Sequence, residues 1–282
     1  MKKVFKSVGL VARYDKKQAL KLAKELAENL RDKGLQVYIE DTLAGKVNIP
    51  GKMVPLESMK TDFIITIGGD GTILRACLAV PEPEPPILAI NMGVRGFLTE
   101  VEPKEARAAV ERTIKGEFKI EKCAKLAVST DEQRMPDALN DVVISTGEPS
   151  KILYTQIRKD DKPILKCQAD GFIASTQTGS TGYSLSAGGS VLDPEVDAFV
   201  LTPICSLTVF RSLIFSANSK LTIEAIRPKE MLVLIDGNYR QLVKSKNPKL
   251  TIMRSKNVTS FIRFKDDFYH RLRSRLLFKG MG

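Results

Sequence analysis

The run Asp62-Phe63-Ile64-Ile65-Thr66-Ile67 leads straight into Gly68-Gly69-Asp70-Gly71-Thr72, and this junction decides the fold. The first segment is apolar enough to be a strand buried on both faces, as parallel sheets require. A helix follows from Ile73 to about Val80, the Pro81–Pro86 stretch breaks it, and Ile87–Asn91 supplies another strand. Upstream, Ser7–Ala12 reads as a strand and Leu35–Ile39 as the next. Between them Lys16–Lys33 places Ala19, Leu22, Ala23, Leu26 and Leu30 at helical spacing. Asp15 is expected to cap that helix and Gly34 to end it. Repeated β/α winding of this kind predicts a doubly wound α/β domain.

Downstream the rhythm changes. Past Pro103 comes one more helix, Lys104–Lys115, ended by Gly116. From Phe118 to about Phe264 short β-rich runs then alternate with Gly, Pro and Asp clusters: Lys125–Thr130, Val142–Ser145, Ile152–Arg158, Gly171–Ser175, Leu221–Ile226 and Met231–Ile235. The fold class is therefore α/β plus mostly β, with domains expected at residues 1–117 and 118–264 and a basic helix or tail at 265–282. That tail, with Phe268, Leu272 and Leu276 four apart and Arg271, Arg273 and Arg275 between them, is expected to dock on the body and to pack back on the first domain. A nucleic-acid or membrane contact is the alternative.

With 282 residues, at roughly 100–200 per domain, the chain has room for one large domain or two ordinary ones. Hydrophobic residues make up 43% and charged residues 27%, which excludes disorder and collagen-like architectures. The formal net charge of +11 favours anionic partners such as phosphates or nucleic acid without choosing between them. Cys77, Cys123, Cys167 and Cys205 show no C-x-x-C spacing and read as reduced, buried thiols. His270 is the only histidine, so a catalytic triad or a histidine-rich zinc site lacks its raw material. No apolar run reaches ~18 residues, and the most apolar stretch, Ala198–Phe210, contains Pro203. The expected location is the cytoplasm.

Chemistry concentrates at the strand-to-helix junction, where an open α/β sheet binds ligands. Glycines flanking Asp70 leave no Cβ to block a close approach, so backbone N–H groups and the helix N-terminus can meet phosphate oxygens. A carboxylate beside polyphosphate is repelled unless a divalent cation lies between them or it takes a proton from an incoming hydroxyl. The alternative is a tight turn with Asp70 as helix N-cap. No G-x-x-x-x-G-K-[ST] occurs, and no G-x-G-x-x-G follows a strand. The second dense feature is the hydroxyl-and-glycine run from Thr176 to Ser190, preceded by Asp170-Gly171, which reads as an ordered ligand loop with Tyr183 able to stack on a ring. Asn140-Asp141 can bind ribose hydroxyls but is also ordinary turn chemistry. Asn91–Phe97 is a glycine-bearing loop, and Arg75 is either a phosphate clamp or a solvated charge.

Taken in order, these motifs resemble the NAD kinase family from about Ser7 to about Lys279. Gly68–Thr72 resembles its GGDGT loop, Asn91–Phe97 its N-x-G-x-x-G-F loop, Asn140-Asp141 its N-E pair, and Asp170–Gly189 its long D-G…S-T-x-T-G-S-T-A-Y-S-x-S-x-G-G signature. The resemblance implies phosphorylation of the adenosine-ribose 2′-hydroxyl of NAD to give NADP, with ATP or inorganic polyphosphate as donor and Mg²⁺ or Mn²⁺ as cation. It also implies a homo-oligomer with NAD held between the α/β and β domains. Carried over by position, Asp70 is the general base. Contacts to NAD or the donor fall to Gly68, Gly69, Asp70, Gly71, Thr72, Phe97, Asn140, Asp141 and Asp170, and to Thr181, Gly182, Tyr183, Ser184, Leu185 and Ser186. Thr178, Cys205, Asp236 and Asn238 sit where further family contacts fall, and Arg75 and Lys151 occupy basic positions within reach of the dinucleotide's phosphates.

This chain departs from the family at three places. Asp141 stands for the usual Glu, one methylene shorter. Gln168 stands where a basic residue is common, a charge that Lys166 or a neighbouring subunit can replace. Gly182 replaces Ala, which costs the loop order without removing a ligand group. A lipid kinase of the diacylglycerol or sphingosine type shares GGDGT and the two-domain layout, but the Thr178–Gly189 run argues against it. A non-enzymatic basic protein that binds nucleotides or nucleic acid accounts for the charge and leaves Asp70 without a role.

Overall fold

The computed structural model describes residues 5–46, 48–93, 96–148, 151–207, 210–265 and 268–276. The chain divides into two compact units, Met1–Lys122 with Thr259–Gly282, and Cys123–Val258.

In the first unit the order is β1 (Ser7–Ala12), α1 (Lys17–Asp32), β2 (Gln36–Glu40), β3 (Lys52–Val54), β4 (Phe63–Gly68), α2 (Asp70–Ala79), β5 (Ile87–Asn91) and α3 (Ala106–Lys115). The strands pair in parallel in the order β3-β2-β1-β4-β5, with Val8 opposite Phe63 and Ile64 opposite Ile87. That is the doubly wound arrangement. Every residue of β4 is buried, as its apolar run requires. Ala23, Leu26 and Leu30 from α1 join Leu10, Phe63, Ile65 and Leu88 in one core, each large side chain contributing about 1.5–3 kcal/mol by leaving water. Gly34, at φ +82°, ends α1 as expected. Asp15 does not cap it: the carboxylate is held by Arg13 at 2.7 Å, and α1 starts without a side-chain cap.

β6 (Lys119–Ser129) carries the chain across the boundary into the second unit. There follow β7 (Asp141–Ser145), β8 (Leu153–Lys159), β9 (Lys162–Ala169), β10 (Gly171–Ser175), α4 (Tyr183–Ser186), β11 (Ala198–Ile204), β12 (Leu213–Ser216), β13 (Leu221–Arg227), β14 (Glu230–Ile235), β15 (Tyr239–Lys244), β16 (Lys249–Arg263) and α5 (Phe268–Leu276). One antiparallel sheet runs β12-β11-β10-β7-β14-β15, and β9, β8, β13 and the first part of β16 form another antiparallel array. The end of β16 returns to the first unit, where Phe261 lies opposite Ile87 at the edge of the parallel sheet. The second unit is thus the β-rich one, and the chain after Val258 belongs to the first.

Candidate active site

In the first unit the site is made where β4 gives way to α2. The amide of Thr72 closes on Gly69 O at 3.0 Å and the amide of Met92 on Gly68 O at 2.8 Å, so the loop is pinned on both sides. A Cβ on Gly68 would lie 2.8 Å from Thr72 Cβ, whereas one on Gly69 or Gly71 would meet nothing within 4 Å. Gly68 is therefore needed for packing, and Gly69 and Gly71 leave backbone uncovered beside the start of a ten-residue helix. Asp70 is the first residue of that helix and caps nothing through its side chain. Its carboxylate turns to the facing loop, where Oδ2 accepts the Phe97 amide at 2.9 Å and Oδ1 the Leu98 amide at 3.2 Å. Gly96 makes this approach possible, since a Cβ there would fall 2.6 Å from Asp70 Oδ2. Lys16 Nζ donates to Met92 O at 2.8 Å on the same loop, a basic contact the sequence reading missed.

Arg75 is neither a free clamp nor a solvated charge. Its guanidinium forks onto Glu40, with Nη1 on Oε1 and Nη2 on Oε2 at 2.9 Å, and Glu40 is fully buried at the end of β2. This hydrogen-bonded partner holds the guanidinium above its ordinary pKa. The charge is committed to compensating a buried carboxylate.

In the second unit, Asp236 is the organiser. It sits at φ +48° ahead of Gly237 at φ +68°, in the tight turn joining β14 to β15. Its carboxylate accepts the amides of Leu139 at 2.8 Å, Asn140 at 2.8 Å and Asp141 at 3.0 Å, while its own amide donates to Asp141 O at 3.0 Å. Asn238 Nδ2 donates to Asp236 O at 2.8 Å and steadies the turn. Burial, with the Asp236 charge second, pushes the Asp141 carboxyl up to about 7. Burial also raises Asp236, against the pull of its three backbone donors and of Lys125. Among the described residues, Asn140 Oδ1 and Ser175 Oγ are buried without a hydrogen-bond partner.

The hydroxyl-rich run folds against this turn. Thr176 Oγ1 donates to Leu139 O at 2.6 Å and accepts the Gly179 amide at 3.0 Å. Gly179 packs so closely that a Cβ would lie 2.7 Å from Asn140 Cα. Thr181 Oγ1 reaches Thr178 O at 3.0 Å, Ser184 Oγ and Thr202 Oγ1 pair at 2.9 Å, and Gly182 faces Asp141 Oδ2 at 3.9 Å from its Cβ position. Leu185 is half-buried, Ser186 is exposed, and Tyr183 presents a ring that is 48% exposed. Asn140, Asp141, Thr178–Gly182, Asp236 and Asn238 thus form one cluster. Lys151, Asp170 and Cys205 do not join it. β7 and β10 pair with Asp141 opposite Ser175 and Ser145 opposite Gly171; Asp170, Cys205 next to Ile204 opposite Gly171, and Lys151 beside Thr146 therefore lie at the far end of β10, about 17 Å away. Lys151 pairs there with Glu148 at 2.6 Å. Cys205 is exposed at φ +47° and Cys123 half-buried, so only Cys77 and Cys167 are the buried thiols expected; none of the four is in a disulfide.

Among the described residues no helix is long and apolar enough to cross a membrane. Residues 8–118 match the ATP-NAD kinase N-terminal domain and residues 139–264 the ATP-NAD kinase C-terminal domain. The NAD kinase of Methanothermobacter thermautotrophicus is 36% identical over 277 residues, covering 97% of each chain. An NAD kinase from Archaeoglobus fulgidus, solved in complex with ATP, superposes with a TM-score of 0.78 at 27% identity, over 95% of this chain and 99% of that one. Yeast NADH kinase complexed with NADH superposes with a TM-score of 0.89 over 98% of this chain and 88% of that one; at 24% identity this is a likeness of fold.

Proposed function

Because the chain belongs to the NAD kinase family and is an enzyme transferring a phosphoryl group from ATP to NAD to make NADP, we propose how its residues divide that work. Asp70 is the general base. The Phe97 and Leu98 amides fix its carboxylate beside the open loop, where it takes the proton of the ribose 2′-hydroxyl. In a loose phosphoryl-transfer transition state that proton leaves late, so an ordinary carboxylate within hydrogen-bond reach suffices. The open space at Gly69 and Gly71 lets donor phosphate oxygens approach the backbone at the N-terminus of α2. The carboxylate locked beside this open loop is the observation that carries the reading.

Asn140 Oδ1, a buried acceptor with no donor among the described residues, and Asp141 hold the ribose of NAD, and Tyr183 stacks on a ring of the dinucleotide. No group of three His, Cys, Asp or Glu side chains suited to a metal occurs among the described residues. The divalent cation enters as part of the MgATP substrate, with phosphate oxygens and water as its ligands. Asp170, Cys205 and Lys151, too distant for the same ribose, serve a second copy of the chain in a homo-oligomer; Leu207 and Ile214, 66% and 55% exposed, are the apolar surface that supports this. Four cysteines outside any disulfide suit a reducing cytoplasm.

The test offers the purified protein NAD or NADH with ATP or polyphosphate, in Mg²⁺ or EDTA, and reads product with a coupled dehydrogenase. NADP formed from NAD, ATP and Mg²⁺ and abolished by EDTA is the expected result. Full turnover in EDTA overturns the assignment of the cation to the substrate.

A further inference from the structure

The loop that holds Asp70 is itself held from the far end of the chain. Arg263, the last residue of β16, is 5% exposed. Its Nη1 donates to Leu98 O at 2.8 Å, its Nε to Glu121 Oε2 at 2.6 Å, and Glu100 Oε2 lies 3.6 Å from Nη1. The guanidinium stands over the Phe261 ring at 4.5 Å from its centroid. Leu98 is thus gripped on both sides: its carbonyl by Arg263 and its amide by Asp70 Oδ1 at 3.2 Å. The next two residues add to the hold, since the amides of Phe264 and Lys265 donate to Glu100 Oε1 at 2.8 and 3.0 Å. The residues on either side of Leu98 form no regular element that could fix its orientation. A planar fork flanked by two carboxylates and lying on an aromatic face has little freedom, which suits it to fixing the position of a peptide group.

The geometry points to Arg263 as a positioning residue for phosphoryl transfer: through Leu98 it sets where the Asp70 carboxylate stands. This rests on Asp70 being the general base. Arg263 acts on Asp70 only through Leu98 and is not among the residues assigned to NAD, so its removal acts on turnover and leaves NAD affinity alone. A displacement of Asp70 by about 1 Å lowers kcat by roughly 10- to 100-fold.

The experiment measures kcat, KM for NAD and NAD affinity by equilibrium dialysis for Arg263→Gln, Arg263→Lys, Asp70→Asn and Arg263→Gln/Asp70→Asn, each checked by circular dichroism. Arg263→Gln is expected to lower kcat by about 10-fold or more with KM and NAD affinity within about threefold. Arg263→Lys, which keeps the charge but not the fork, falls between it and wild type. In the double variant Arg263→Gln costs nothing further, because no base is left to position. If Arg263→Gln does not fold, Arg263→Lys in the wild-type and Asp70→Asn backgrounds carries the same comparison. Unchanged kcat, a loss appearing in KM instead, or losses that multiply in the double variant would overturn the inference. Full turnover by Asp70→Asn alone is a separate result, which removes the base assignment itself.

Discussion

Asp141 and Asp236 make the second unit's stability depend on pH, and Asp141→Asn tests this. The two carboxyls are 7% and 3% exposed, and Asp236 takes three backbone donors. The charge therefore belongs on Asp236 and the proton on Asp141, whose carboxyl is raised from 3.8 to about 7. A carboxyl raised on folding means that the folded state binds the proton more tightly. The stability it contributes is complete below about pH 4 and is lost as pH rises through about 7. At about 1.4 kcal/mol per pH unit the full loss is on the order of 4 kcal/mol, shared with Asp236. Asparagine copies the neutral acid and has no proton to lose. Urea unfolding followed from pH 4.5 to 8.5 should show wild type and Asp141→Asn similar at the acid end, with the variant progressively the more stable towards pH 8.5. Parallel curves would falsify the assignment of the raised carboxyl to Asp141.

Other substitutions separate structural from functional roles. Arg75→Met strands the fully buried Glu40 and should cost about 3–5 kcal/mol in thermal melts; adding Glu40→Gln should restore most of it, and additive losses would contradict the pairing. Gly179→Ala drives a Cβ against the Asn140 backbone, which cannot yield as a flexible side chain does. It should cost about 1–3 kcal/mol and raise KM for NAD, and a silent substitution would count against a tight turn. Gly69→Ala meets nothing within 4 Å, so its unfolding midpoint should hold within about 0.5 kcal/mol while KM for ATP rises; an unchanged KM would remove the uncovered backbone from phosphate binding.

The sequence was readable where structure is local. The β4 run is buried at every position, and one apolar strand followed by glycines suffices to find the turn into α2. Asp15 misled because Arg13, two residues away, competes for its carboxylate more strongly than the helix amides do. β15 puts only Leu242 and Val243 among polar residues, β16 breaks its apolar pattern at Arg254–Asn257, and β16 also spans both units, so their strand periodicity is diluted. The candidate site was legible as motifs but not as an assembly. Asp236 acts on Asn140 from 96 positions away, Glu40 engages Arg75 across 35, and Arg263 reaches Leu98 across 165. Nothing in the residues flanking Arg263 marks it, since its acceptors are a backbone carbonyl and carboxylates brought near only by the return of β16 to the first unit.

In the proposed mechanism Asp70, held by the Phe97 and Leu98 amides, removes the proton from the hydroxyl that is phosphorylated. The most direct measurement compares turnover and NAD affinity of wild type and Asp70→Asn under saturating ATP and Mg²⁺. NAD affinity is expected to be unchanged and turnover down by about 100-fold or more. Unimpaired turnover in folded Asp70→Asn would contradict this mechanism.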